Sequence, residues 1–225
     1  MVAGGTGAVG SVIATMLAGA GASVSIIGRT TGSQKKFAGG DRSRFRFYGA
    51  DLTDESETMS VMKRIHEEYS RIDIVVNASG GYWGGKDIKD TTLAQWDSLM
   101  RMNLTAAFLI TKEALSVMKG YGRIIHISAM TALEPQPGKA AYAISKSGVG
   151  LLAVLASKEE KDPGVTVNAI APGIVKTPSN MSWGSPSEIE NWVTPEQIGA
   201  QVLFLCSSEG GAINGSVIRM PGGIA

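Results

Sequence analysis

The sequence predicts an α/β domain built on a doubly wound parallel sheet, three layers deep. Short runs rich in Val and Ile alternate with helix-length amphipathic stretches along the whole chain. That is the pattern of parallel strands covered by helices on both faces. No change of composition divides the 225 residues, so a single domain over 1–225 is expected. A helical bundle would not carry so many β-branched runs of strand length.

The first strand is the odd element. A glycine-rich loop opens at Gly4 and leaves only Met1–Ala3 to form that strand, where about five residues are usual. A truncated start or a very short first strand is expected. A helix follows over Gly10–Gly19, then strands at Ser23–Ile27 and Phe45–Tyr48. Thr53 or Asp54 supplies the cap of a helix over Glu55–Tyr69. Ile72–Val76 is a strand, and a glycine- and aromatic-rich loop joins it to a long helix over Thr92–Met118. The strand Gly122–Ile127, the helix Ala140–Glu160 and the strand Val165–Ile170 come next. The stretch Pro178–Val193, with Met181, Trp183 and Trp192, reads as a short lid over substrate. Thr194-Pro195-Glu196-Gln197 starts a helix that runs to Ser207, because proline pre-sets a first turn. Ser216–Met220 is the last strand.

Composition excludes several classes. Lys plus Arg is 21 and Asp plus Glu is 20, so there is no field to hold nucleic acid or a charged membrane surface. One cysteine, Cys206, excludes an internal disulfide and a cysteine metal cluster, and His66 and His126 are too far apart in sequence to suggest a histidine site. No metal is expected. With no leader pattern and no uncharged apolar run near eighteen residues, a cytoplasmic setting without membrane contact is expected.

The chemistry sits at the ends of the strands. Gly4-Gly5-Thr6-Gly7-Ala8-Val9-Gly10 precedes an apolar helix, and such a loop lets the backbone approach a pyrophosphate over helix N–H groups. After the second strand comes Gly28-Arg29 with no acid to bind a ribose hydroxyl; an arginine there suits a 2′-phosphate. Asp51-Leu52 ends the third strand, where Asp51 can accept from an adenine amino group. Asn77-Ala78-Ser79-Gly80 ends the fourth, and Tyr82 and Trp83 follow between glycines as a platform for a flat substrate or a cover for the sheet end. Asn103 sits among apolar neighbours, where a buried amide needs hydrogen-bond partners. Tyr142 and Lys146, four apart, share one helix face. A phenol has a pKa of about 10. Bringing it near neutrality takes roughly 4 kcal/mol, which a lysine one turn away and a cationic nicotinamide are expected to supply. Pro172-Gly173 makes a rigid turn beyond the fifth of these edges, from which Val175 and Thr177 can reach a cofactor.

These motifs, with Gly222-Gly223 near the end, resemble the short-chain dehydrogenase/reductase family over essentially the whole chain. The resemblance implies a Rossmann-like, seven-stranded sheet, NADP or NAD, and hydride transfer to or from a carbonyl. It makes Tyr142 the acid/base, Lys146 the residue that holds the ribose and biases the phenol, and Asn103 the holder of a relay water. Cofactor contacts would come from Gly4, Thr6, Gly7, Val9, Arg29, Asp51, Leu52, Asn77, Ala78, Ser79, Tyr142, Lys146, Pro172, Gly173, Val175 and Thr177. Substrate would meet Tyr82, Trp83, Ala129 and Trp183.

There are departures. The family's catalytic serine lies thirteen residues before the tyrosine, and that position is Ala129. Ser128 is adjacent, but neighbouring strand residues face opposite ways, so it stands in only if the strand breaks there. The missing serine, Tyr82 and Thr177-Pro178-Ser179-Asn180-Met181 resemble the dihydropteridine reductase branch, which reduces a quinonoid pterin; Gly28-Arg29 departs from that branch's usual acid. A carbonyl or quinonoid reductase is therefore the first reading and a pterin reductase the second. A weakly active or inactive dinucleotide-binding protein is a third. Apolar residues on more than one face of the two long helices, among them Leu104, Phe108, Leu109, Leu115, Val149, Leu152 and Leu155, point to a homodimer or homotetramer.

Overall fold

The computed structural model of the protein describes residues 1–29 and 42–223. Its centre is a seven-stranded, all-parallel sheet in the order β3-β2-β1-β4-β5-β6-β7. The strands are β1 (Val2–Ala3), β2 (Val24–Gly28), β3 (Phe45–Gly49), β4 (Ile74–Asn77), β5 (Gly122–Ile127), β6 (Val165–Pro172) and β7 (Val217–Met220). Short as it is, β1 occupies the middle, with Val2 opposite Ile26 on one side and Val76 on the other.

Alternate strand residues feed two cores, as the pleat requires. Ile27, Val75 and Ile124 face one layer, made by α2 (Glu55–Tyr69), α4 (Ala106–Val117) and α5 (Ala140–Glu159). Ile26, Val76 and Ile125 face the other, made by α1 (Ala8–Gly19) and α8 (Pro195–Cys206). By length and composition α5 could cross a membrane, but here it is a layer of the domain, burying Ala141, Val149, Ala153 and Ala156.

Capping sets the helix starts. The Asp54 carboxylate accepts from the Glu57 amide, settling the choice between Thr53 and Asp54. Thr92 and Thr194 each form a reciprocal capping box, with Gln95 and Gln197. The long helix expected over Thr92–Met118 is not continuous. It is α3 (Leu93–Leu99), a π-helical turn over Met100–Thr105, and α4. Between Pro178 and Glu190 two short helices, α6 (Pro178–Met181) and α7 (Pro186–Glu190), fold over the sheet edge. Trp192 and Val193 are buried at the base of this segment, where Val193 bridges Val175.

Candidate active site

The chain order reverses between β1 and β4, and there the loops part to leave a crevice at the carboxyl ends of the strands. A cleft of about 400 Å³ opens at that point, lined by Gly4, Thr6, Gly7, Gly28, Arg29 and Asp51 among others. Gly4 has φ +69°, and a Cβ there would lie 2.7 Å from the Ser79 amide nitrogen, so only glycine allows the two loops to close on each other. The helix α1 begins at Gly7 with no side-chain cap and no acid in its first turn. Its first N–H groups are thus left for an anionic ligand, in contrast to the capped starts of α2, α3 and α8. A Cβ on Gly28 would come within 2.8 Å of the Thr6 hydroxyl, so the end of β2 has no room for an acidic side chain beside that loop. This cradle fits a dinucleotide pyrophosphate.

Leu52 and Ala50 are buried in the floor of the cleft, and Ala78 and Ser79 form its far wall. Asp51 accepts from the Thr53 amide at 2.9 Å and the Thr53 hydroxyl at 2.8 Å. Those bonds first, and then Arg29 and Arg101, hold its carboxyl below the ordinary range. Arg101, Ser98, Met102 and Ala106 also line the cleft; motif reasoning did not single them out. Val9, Asn77, Tyr142, Lys146, Pro172, Gly173, Val175 and Thr177 are not among the lining residues. Gly173 is tied to Met220, and the Thr177 hydroxyl caps α6.

Asn77 is fixed from behind by His126. The Thr111 hydroxyl donates to the Ala107 carbonyl, so it accepts from His126 Nε2 at 3.0 Å, and the ring's Nδ1 accepts from the Asn77 amide at 3.2 Å. The imidazole is therefore neutral with its proton on Nε2. Burial, then the Lys146 charge, lowers its pKa to about 4. Asn77 Oδ1 in turn accepts from the Ser79 amide and hydroxyl.

The one-turn spacing puts Tyr142 and Lys146 on one face of α5, Tyr142 against Tyr82 and Lys146 Nζ near Gly80 at the edge of the cleft. Lys146 Nζ donates to the Ile127 carbonyl at 2.9 Å, and a Cβ on Gly80 would lie 3.2 Å from it. Burial brings Lys146 down to about 8. The expected lowering of Tyr142 does not come from the chain itself: burial first, then Tyr82, pushes the phenol up to about 12. The lysine ammonium is directed to the Ile127 carbonyl, and burial of the ring disfavours the phenolate.

Asn103 lies in the π-helical turn, fully buried. It accepts from the Gly81 amide at 2.9 Å and donates to the Gly81 carbonyl and the Ser145 hydroxyl. Its side chain braces the Gly80–Gly81 turn against α5. Gly80, at φ +137°, could not carry a side chain without striking Asn103 Oδ1.

Ala129 is buried just beyond β5, and no side-chain hydroxyl stands at that position. Ser128 does not fill the gap. Its hydroxyl donates to the Lys146 carbonyl at 2.8 Å, which ties α5 to the sheet. Tyr82 stands against Tyr142, Trp83 lies under the Lys86 ammonium, and the exposed Trp183 leans on Trp192 at 5.0 Å.

Comparison with known proteins agrees with this architecture. The chain is 30% identical over 99% of its length to D-beta-hydroxybutyrate dehydrogenase of Rhizobium meliloti, covering 96% of that protein. It is 32% identical over its whole length to the 3-oxoacyl-[acyl-carrier-protein] reductase of Aquifex aeolicus, again covering 96% of it. The solved structure of ElxO with NADP bound shares the fold, with a TM-score of 0.92 at 24% identity over 97% of this chain and 95% of that one. The family profile described as short chain dehydrogenase matches residues 1–188. With crevice, glycine loop and Tyr142/Lys146 face all in register, the chain belongs to the short chain dehydrogenase family.

Proposed function

We propose that the protein is an NADP-dependent oxidoreductase that moves a hydride between a nicotinamide cofactor and a small carbonyl or quinonoid substrate. The observation that carries this reading is the placement of Tyr142 and Lys146 on one face of α5, at the end of the glycine cradle, with Lys146 Nζ held to Ile127 beside Gly80. When bound, the nicotinamide gives or takes the hydride and, when oxidised, adds a positive charge near the phenol. Tyr142 Oη gives or takes the proton on the substrate oxygen. Lys146 holds a ribose hydroxyl. Gly4, Thr6 and Gly7 hold the pyrophosphate, Asp51 meets the adenine, and Arg29, exposed at the end of β2, meets the 2′-phosphate. Relatives named as a dehydrogenase and a reductase at 30–32% identity, and a like fold solved with NADP, support the reading.

Ala129 favours a more specific form of it, in which the substrate is activated. With Tyr142 as the side-chain donor to a developing alkoxide and no hydroxyl at 129, an electron-poor quinonoid ring such as a quinonoid pterin suits the site better than a simple ketone. Tyr82 offers such a ring a flat neighbour.

Binding and turnover test the proposal. NADPH should bind roughly tenfold or more tightly than NADH, and Arg29→Ala should abolish that preference. Tyr142→Phe should lower kcat by about 10²-fold or more on every substrate. Equal affinity for the two cofactors refutes the NADP assignment, and an active Tyr142→Phe protein refutes the mechanism.

A further inference from the structure

The adenosine end of the cleft has two arginines, and they are placed differently. Arg29 follows β2 on the rim beside Thr6 and Gly28. Arg101 comes from the opposite wall, on the π-helical turn two residues before Asn103. Its Nε donates to the Thr53 hydroxyl at 3.3 Å, and that hydroxyl donates to Asp51 at 2.8 Å. Arg101, Thr53 and Asp51 thus form one hydrogen-bonded edge across the mouth, closed behind by the Asp51 amide, which donates to Glu57.

Both arginines act on the same carboxylate, Asp51. The Arg101 guanidinium lies in the field of two carboxylates, Asp51 and Asp54, whereas Arg29 acts on Asp51. A guanidinium whose Nε edge is bonded to Thr53 keeps its planar face available for stacking on an aromatic ring. Leu52, Ala50, Met102 and Ala106 give the same cleft apolar lining, beside the polar Thr53, Ser79 and Ser98. A cleft with apolar side chains in its lining, a guanidinium at its mouth and a carboxylate beside it suits a flat base whose amino group points to Asp51.

We propose that Arg101 covers the adenine of the bound dinucleotide, its guanidinium plane lying over the purine while Thr53 holds it at the rim. The inference rests on the cofactor reading above. It divides recognition between Arg101, which reads the base common to both cofactors, and Arg29, which reads the phosphate that distinguishes them. Arg101 is placed by the inserted residue of the π-helical turn, so the turn that buries Asn103 also presents the arginine.

The test is equilibrium binding of NADPH, NADH, 5′-AMP and nicotinamide mononucleotide to wild type, Arg101→Ala, Arg101→Lys and Arg29→Ala, with circular dichroism as the folding control. Arg101→Ala should weaken NADPH, NADH and 5′-AMP alike, by about two- to fivefold for a rim-exposed stack, and leave nicotinamide mononucleotide unchanged. Arg101→Lys should not restore the loss, since it keeps the charge without the plane. A loss confined to NADPH would mean that Arg101 contacts the 2′-phosphate and would overturn the proposal. Unchanged affinity in Arg101→Ala, or full rescue by lysine, would overturn it as well while leaving the cofactor reading intact. Wild-type protein that binds neither dinucleotide would remove the cofactor reading and this inference together.

Discussion

The ring of Tyr82 stands edge-on to the ring of Tyr142, with centroids 5.0 Å apart and planes at 89°. Tyr82 is 60% exposed, so the Tyr142 ring is screened on one side by a side chain that is itself on the surface. Removing the screen in Tyr82→Ala should lower the Tyr142 pKa from about 12 toward the ordinary value of about 10. An ultraviolet difference titration, assigned with Tyr142→Phe, reads this directly. The pair is of the kind that contributes about 0.5–1.5 kcal/mol, so KM for a flat aromatic substrate should rise a few-fold in Tyr82→Ala and little in Tyr82→Phe. An unmoved titration would show that Tyr82 has no part in shielding the phenol.

Position 129 is the next expectation. Ala129→Ser adds a hydroxyl beyond β5 on extended backbone (φ −158°, ψ 152°) that accepts any side chain. Removing one alkoxide donor costs on the order of 10²–10³ in turnover elsewhere, so restoring one should raise kcat on unactivated ketones by about tenfold or more. Quinonoid substrates should gain less. Ser128→Ala removes a buried hydrogen bond to the Lys146 carbonyl and should cost about 1 kcal/mol of stability with little change in turnover. If Ser128→Ala is inactive but fully stable, Ser128 takes part in the chemistry after all.

His126 gives the fold an acid-sensitive element. Its pKa falls from the ordinary 6.5 to about 4 on folding, so between those values the unfolded chain binds more protons than the native one. The stabilisation is complete above about pH 6.5 and is lost as pH falls through about 4, amounting to about 3 kcal/mol. Urea unfolding at pH 7, 5.5 and 4 should show that slope, and His126→Asn should flatten it. A slope that survives the substitution would belong to other groups.

Assembly follows from the outer faces of α4 and α5. Phe108, Leu151 and Leu155 are 49%, 59% and 46% exposed, while Leu109 and Val149, on other faces of the same helices, are buried. A homodimer or homotetramer that covers the exposed three is expected. Light scattering at micromolar concentration should give a multiple of the chain mass, and Phe108→Asp with Leu155→Asp should return a single chain. Wild-type protein already at the mass of one chain refutes this.

The sheet was legible because its strands are runs such as Val75-Val76 and Ile124-Ile125, whose β-branched side chains suit a strand buried on both faces. The Tyr142/Lys146 face was legible because one helical turn is a local relation. What the sequence hid was non-local. The partners of His126 lie 49 and 15 residues away, and in sequence it was one polar residue in an apolar strand. Arg101 carries no local signal of its place, because no proline or glycine marks the π-helical turn between Met100 and Thr105. The direction of the Tyr142 shift was misjudged for a related reason. Spacing gave the distance to Lys146 along the helix, but not the Ile127 carbonyl that takes its ammonium nor the depth at which the phenol sits.

That turn between Leu99 and Ala106 also gives the molecule an unused source of strength. Each residue advances an α-helix by about 100°, so deleting one residue there would let Leu93–Val117 wind as a single regular rod. The rod would be the better helix taken alone. It would also rotate Asn103 away from Gly81 and Ser145, and Arg101 away from Thr53, in one movement. The shortest route to a sturdier scaffold therefore passes through loss of the crevice's bracing. A stabilising redesign of this domain should leave that irregular turn alone.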